Sequence, residues 1–196
     1  MGLFDSGETH LENADIDCQP QNEYVSIDTV AKIDDVLDRG EKVHFLAREA
    51  GEGVKVTSGG EEDKKVASGG HIRSAATDKR IVCKIPNLIG SEEISIPYES
   101  ISTADLKTGM VHTRLSVQTD MKSYGIGIGY LDDDECKRMH QFVREKVSEA
   151  NQQAQSQNHT SDDPLDKLER LRDLKDDGTI TEEEFEEKKS ELMDQI

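Results

Sequence analysis

The spacing of apolar positions changes twice along the chain. Between residues 24 and 40 they fall at helical intervals, with Ile27, Val30, Ile33 and Leu37 on one face. Ser26 or Asp28 can cap that start and Gly40 can end it. From Val43 the period drops to two. Val43–Phe45 opens a strand, and His71 to Pro86 reads as two strands about a Thr77-Asp78-Lys79-Arg80 turn. Further strands are expected at 94–97, 101–107, 110–118 and 122–130. Helical spacing returns from about Asp132, through Met139, Phe142, Val143 and Val147. Its early acids Asp132 to Glu135 and late bases Arg144 and Lys146 complement the helix dipole. Several short strands closed by one helix predict an α+β fold, a small antiparallel β-barrel or sandwich with a C-terminal helix.

Three segments lack a pattern. Residues 1–23 are polar, acidic and turn-rich, and are expected to be disordered. Residues 51–70 carry Gly51, Gly53, Gly59, Gly60, Gly69 and Gly70 and read as a long flexible loop inside a domain spanning 24–150. Residues 151–163 are rich in Gln, Asn and Ser and read as a linker.

Beyond the linker, residues 164–196 predict a helical hairpin. Asp163 suits an N-cap and Pro164 the first helical position, where its missing N–H costs nothing. Leu165, Leu168, Leu171 and Leu174 form one stripe, and Asp177-Gly178 supplies the stop. Thr181 and Glu184 have capping-box spacing for a second helix. Ile180, Phe185, Leu192 and Ile196 complete the apolar set, with Met193 beside them. A unit this small cannot bury such a stripe alone, so the hairpin is expected to dock on a partner, either itself or another protein.

The runs Leu165-Asp166-Lys167-Leu168, Leu171-Arg172-Asp173-Leu174 and Gly178-Thr179-Ile180-Thr181-Glu182-Glu183-Glu184-Phe185 resemble the SHOCT (short C-terminal) domains of prokaryotic proteins. That resemblance implies an oligomerisation or docking element without catalysis of its own. The same residues partly fit a calcium-binding EF-hand loop over 173–184, with Asp173, Asp177, Gly178 and Glu184 in register. Lys175 stands where that loop needs a ligand, and Leu174 continues the helical stripe, so calcium binding is the weaker reading.

In the body, Gly40-Glu41-Lys42-Val43, Ala76-Thr77-Asp78-Lys79-Arg80-Ile81-Val82 and Ile96-Pro97-Tyr98-Glu99-Ser100-Ile101 resemble the bacterial PH-like domains of the YokE type, which often precede a SHOCT segment. The resemblance implies a pleckstrin-homology-like barrel over 41–149, and the insertion at 51–70 departs from it. Many eukaryotic PH domains hold lipid headgroups with bases near the first two strands, because phosphates need several cations at once. Lys64, Lys65 and Arg73 lie in the comparable region, and Lys79, Arg80 and Lys84 form a second group. Contact with anionic lipid through these six is the alternative function, although Glu61, Glu62 and Asp63 adjoin the first two.

Gly125, Gly127 and Gly129 share one face of the last strand, opposite Tyr124, Ile126 and Ile128. Glycine weakens a strand and marks close backbone approach. Either something packs directly on that face or the strand bends there.

The formal charge of −18 is concentrated at the two ends, which disfavours nucleic acid. Cys18, Cys83 and Cys136 show neither disulfide nor zinc spacing and read as thiols in a reducing, cytoplasmic setting. No histidine pair has metal spacing, no nucleophile elbow is present, and no cofactor is implied. The expectation is a non-enzymatic interaction or assembly protein.

Overall fold

The structure, a computed structural model, describes residues 10–16, 20–49, 51, 53–109, 112–158, 168, 171–175, 179 and 181–193. In chain order the elements are β1 (Ala14–Asp15), α1 (Ile27–Val30), β2 (Glu41–Glu49), β3 (Val54–Ser58), β4 (Glu61–Lys65), β5 (Ile72–Thr77) and β6 (Arg80–Pro86). They continue with β7 (Ser91–Pro97), β8 (Ile101–Thr108), β9 (Thr113–Thr119), β10 (Lys122–Gly127), α2 (Asp133–Asn158) and α3 (Glu182–Met193). The chain divides into two compact units, 1–151 and 152–196.

Two five-stranded sheets, ordered β1-β2-β5-β6-β7 and β4-β3-β10-β9-β8, curl into a half-barrel. Alternation along each strand sends Phe45, Ala47, Ile72, Ile81, Cys83 and Ile96 from one sheet, and Val54, Leu115, Val117 and Ile126 from the other, into a common core. Helix α2 closes that core with Cys136, Met139, Val143 and Val147, a three-four-four spacing that keeps one face inward. Each fully buried aliphatic of this set contributes about 1.5–3 kcal/mol. Burial pushes the Cys83 thiol up to about 12 and the Cys136 thiol to about 11, so both pack as inert side chains.

The first sheet has a second apolar layer on its outer face. Val43, Leu46, Ala75 and Val82 are covered there by Val25, Val30, Ile33 and Leu37. The predicted helix over this cover is broken: after α1 the chain turns and re-forms only a 3-10 turn at Asp34–Val36. The cause is Asp34. Its carboxylate accepts the backbone N–H groups of Glu12 (2.7 Å), Asn13 (3.1 Å) and Ala14 (2.7 Å). Burial alone would raise this carboxyl, but the three donors hold it below the usual aspartate range.

The same clamp corrects the expectation of disorder over 1–23. Residues 10–16 are ordered, with β1 parallel to β2, and Asn22 bridges the backbone of Leu46 through both ends of its amide (2.8 and 3.1 Å). Residues 1–9 and 17–19 lie outside the described residues. The 51–70 loop is also corrected. It contains a hairpin in which β3 pairs with β10 on one side and β4 on the other. Gly59 and Gly60, at φ 59° and 88°, make its turn. Finally, α2 runs to Asn158, well into the 151–163 linker, because Gln and Ala extend a helix as readily as they fill a spacer.

Candidate functional site

The bases named from sequence do not form a free cationic patch. Arg80 is an architectural staple. Its Nε donates to Glu41 Oε1 at 3.1 Å and an Nη to Oε2 at 3.0 Å, while the other Nη reaches Glu93 (3.1 Å) and Ser95 (2.8 Å). Glu41 is 0% exposed and also accepts the Thr77 hydroxyl (2.8 Å) and the Asp38 N–H (2.7 Å). Burial pushes the Glu41 carboxyl up, yet Arg80, Asp38 and Thr77 together hold it below the ordinary glutamate range. Lys79 sits 3.5 Å from Asp38, Lys84 bonds Asp35, and Lys65 bonds Asp63 (2.9 Å) and Glu92 (3.1 Å). Lys64 and Arg73 remain without a carboxylate among the described residues.

Strand register shows what sequence reasoning missed. Arg48 on β2 lies opposite Arg73 on β5, and Arg73 lies opposite Lys84 on β6. All three therefore share the outer face of the first sheet, beyond the apolar row of Leu46, Ala75 and Val82. Arg48 stands over the rings of Tyr24 (5.6 Å) and Tyr130 (5.1 Å). Arg73 donates to the His71 carbonyl at 3.2 Å, and the His71 ring meets the Tyr130 ring edge-on at 6.4 Å. Burial, then the neighbouring Arg48 charge, lowers the Arg73 pKa from its usual value. Like charges directly opposite one another destabilise a sheet. Neither guanidinium has a carboxylate partner among the described residues.

The glycine face at the end of β10 is covered at Gly127 by Glu49. A Cβ at Gly127 would lie 2.9 Å from Glu49 Cγ and 3.1 Å from its Oε2, and one at Gly129 would lie 4.0 Å from the same oxygen. Glu49 is buried and comes from β2 of the other sheet, and the missing Cβ at Gly127 leaves room for its side chain. At Gly125 a Cβ would meet Lys55 Cβ at an ordinary 3.5 Å.

In the second unit, Glu184 accepts the Thr181 N–H at 2.9 Å, and Thr181 Oγ1 accepts the Glu184 N–H at 3.3 Å, the reciprocal capping box expected from sequence. The carboxylate that an EF-hand loop would turn onto calcium is thus engaged at the helix start. Phe185 is half-buried between two ammonium groups, Lys175 at 4.6 Å and Lys189 at 5.6 Å from its ring centre. Leu168 is half-buried, Leu171 buried and Leu174 42% exposed. Leu165, Ile180 and Ile196, and the side chain of Leu192, lie outside the described residues.

A curled two-sheet half-barrel closed by one helix defines a PH-like domain, and the comparisons agree. Residues 37–145 match the bacterial PH domain family, and residues 166–193 match the short C-terminal domain, SHOCT. The first match spans more than half of the 196 residues, and the chain belongs to the bacterial PH domain family. It is 24% identical over 151 residues to an uncharacterized protein of Archaeoglobus fulgidus, covering 61% of this chain and 79% of that one. Among solved structures it is similar to the N-terminal PH domain of Vps36, with a TM-score of 0.38, 12% identity and 56% and 81% of the two chains covered. It is also similar to the PH domain of USP37, with a TM-score of 0.36, 11% identity and 53% and 97% covered. PH and SHOCT domains are not known as catalytic families. Among the described residues no group of His, Cys, Asp and Glu is arranged to hold a metal, and no helix is long and apolar enough to cross a membrane.

Proposed function

We propose that this protein is a non-enzymatic assembly module, in which the PH-like body is brought together with its partner by the C-terminal hairpin. One observation carries the reading. Among the described residues of 152–196, Leu171 alone is buried, while Leu174 on the same helical stripe stays 42% exposed. A hairpin of this size gains stability by covering its stripe with another surface. A second copy is the simplest occupant, since the stripe can pair with itself about a two-fold axis.

The test is absolute mass by light scattering. The full chain is expected to be a multimer. Leu174→Asp, on an exposed position, is expected to reduce it to a monomer with an unchanged circular dichroism spectrum. A wild-type monomer, or a multimer indifferent to Leu174→Asp, defeats the reading. The alternative function, anionic lipid held by Lys64, Lys65, Arg73, Lys79, Arg80 and Lys84 together, is weakened by the carboxylates that four of these six already bind.

A further inference from the structure

Three of the four sheet borders are built to refuse a further strand. β4 is charged at all five positions, β7 opens Ser91-Glu92-Glu93, and β1 has two residues. Several of those charges are also spent within the chain. Glu62 pairs with Lys55, Lys65 with Asp63 and Glu92, and Glu93 with Arg80. The fourth border, β8, is different. It runs eight residues, Ile101 to Thr108, and beyond an irregularity between Ile101 and Thr103 its pairing with β9 is regular. Among the described residues no strand pairs with its other side.

Which backbone groups this border presents follows from the turn that ends it. The Gly109 N–H donates to the His112 carbonyl at 2.9 Å, which makes those two residues a hydrogen-bonded pair. Such pairs alternate along an antiparallel ladder. By the register, Thr103, Asp105 and Lys107 therefore bond β9, while Ala104, Leu106 and Thr108 turn N–H and C=O outward. The Ala104 carbonyl obeys this, accepting His140 Nε2 of α2 at 3.0 Å, and it keeps a second lone pair. Thr103, Asp105 and Lys107 stand exposed on one face. Neither Asp105 nor Lys107 has an ion pair or a side-chain hydrogen bond among the described residues.

We propose that β8 pairs antiparallel with β8 of a second copy, about a two-fold axis at Leu106, so that the two second sheets join into one. Charge and symmetry select that register. An axis at Asp105 or at Lys107 sets that residue against its own copy, like charge on like. An axis at Ala104 or Thr108 leaves much of the border unpaired. With the axis at Leu106, Ala104 faces Thr108 on both sides and Leu106 faces itself, about six backbone bonds in all. Between them Asp105 faces the second copy's Lys107, and Lys107 its Asp105. These are non-hydrogen-bonded pairs, about 4.5 Å apart at Cα, where side chains lie closest. The half-buried Leu106 meets its own copy at the axis. The contact is isologous and closes at two copies. So short an edge pairing, between chains of charge −18, is weak by itself. The inference therefore rests on the hairpin reading, because a hairpin that tethers two chains raises their effective concentration to about the millimolar range.

The test uses full-length chains carrying Cys18→Ser, one with Asp105→Cys and one with Lys107→Cys, expressed alone and together. The remaining thiols, Cys83 and Cys136, are buried. A disulfide spans roughly 4.4–6.8 Å between Cα atoms, so opposite residues can bond, whereas diagonal self-pairs at about 7–8 Å do not. Mild oxidation is expected to give roughly tenfold more covalent dimer from the co-expressed pair than from either variant alone. Equal yields overturn the proposal. Adducts with other cell proteins in place of dimers also overturn it, by giving the border to a foreign strand. A charge cycle is the second test. In sedimentation equilibrium, Asp105→Lys and Lys107→Asp are each expected to weaken self-association of the full chain roughly tenfold, and the two combined to restore it. Both positions are exposed, so native spectra are expected, and failure of the combination to restore association overturns the proposal. Leu174→Asp separates the two readings. If it leaves the mass unchanged and the mixed thiols still bond, the hairpin reading falls and the β8 pairing stands on its own strength. If it lowers the mass, and with Leu174 intact the mixed thiols bond no more than single ones, the β8 pairing falls and the hairpin stands.

Discussion

Glu41 shows how one residue can decide the stability of the barrel. A fully buried carboxylate costs several kcal/mol to desolvate, and Arg80, Thr77 and the Asp38 N–H offset that cost. Arg80→Met leaves the charge unpaired and is expected to destabilise the fold by about 3–5 kcal/mol in urea unfolding. Because its folded pKa is depressed, Glu41 contributes stability above the unfolded value of 4.5, and that contribution is lost as pH falls through the folded one. His44 adds a limb at higher pH. Its ring stacks on Phe142 at 4.7 Å, and its Nδ1 is buried without a hydrogen-bond partner among the described residues. Burial lowers its pKa; the charge of Asp78 opposes the shift, and those of Lys146 and Lys42 add to it. The unfolded chain therefore protonates first, and stability falls as pH drops below about 6.5, levelling once the folded ring protonates too. Melting temperature against pH should show this limb in the wild type and lose it in His44→Phe. At Gly127 the Cβ of alanine collides with a buried Glu49, and Gly127→Ala is expected to cost about 1–3 kcal/mol in the same urea assay.

At the scale of elements, the reach of sequence reasoning follows the reach of the interaction. The Thr77–Arg80 turn, the strands through Ile81, Cys83 and Ile85 and the apolar face of α2 were legible because local spacing fixes them. The capping box of Thr181 and Glu184 was legible for the same reason. The N-terminal cover was not, since Asp34 breaks the helical pattern by binding backbone some twenty residues earlier. Asp34→Asn is expected to accelerate amide exchange at Glu12, Asn13 and Ala14, with smaller effects in β5 and β6. The β3–β4 hairpin had a readable signal in Ser58-Gly59-Gly60-Glu61 between Val56 and the charged run. The six glycines of 51–70 suggest flexibility instead and mask that signal. The arginine pair was illegible, because Arg48 and Arg73 meet only through strand register. Four of the six bases that the sequence offers for lipid are held by carboxylates instead.

For the whole molecule, the formal charge of −18 and the two arginines that have no carboxylate among the described residues act at different ranges. Overall acidity repels an anionic surface at long distance, within a Debye length of about 8–10 Å near physiological salt, whereas guanidinium contacts form at closest approach. Any association with anionic vesicles is therefore expected to pass through a maximum as salt rises, first relieving the repulsion and then weakening the contacts. A pelleting assay across a salt series checks this, and a monotonic fall would mean that local cations dominate at every range.

The edge strand β4 has a consequence for how such a protein can be concentrated. Its residues Glu61, Glu62, Asp63, Lys64 and Lys65 are all charged, and they form one border of the second sheet, the other being β8. At the border of the first sheet, β7 begins Ser91-Glu92-Glu93, and the opposite border is the two-residue β1. Charged and very short borders resist pairing with a stranger's backbone. Molecules gathered at high local density should therefore resist knitting into fibrils through these three borders.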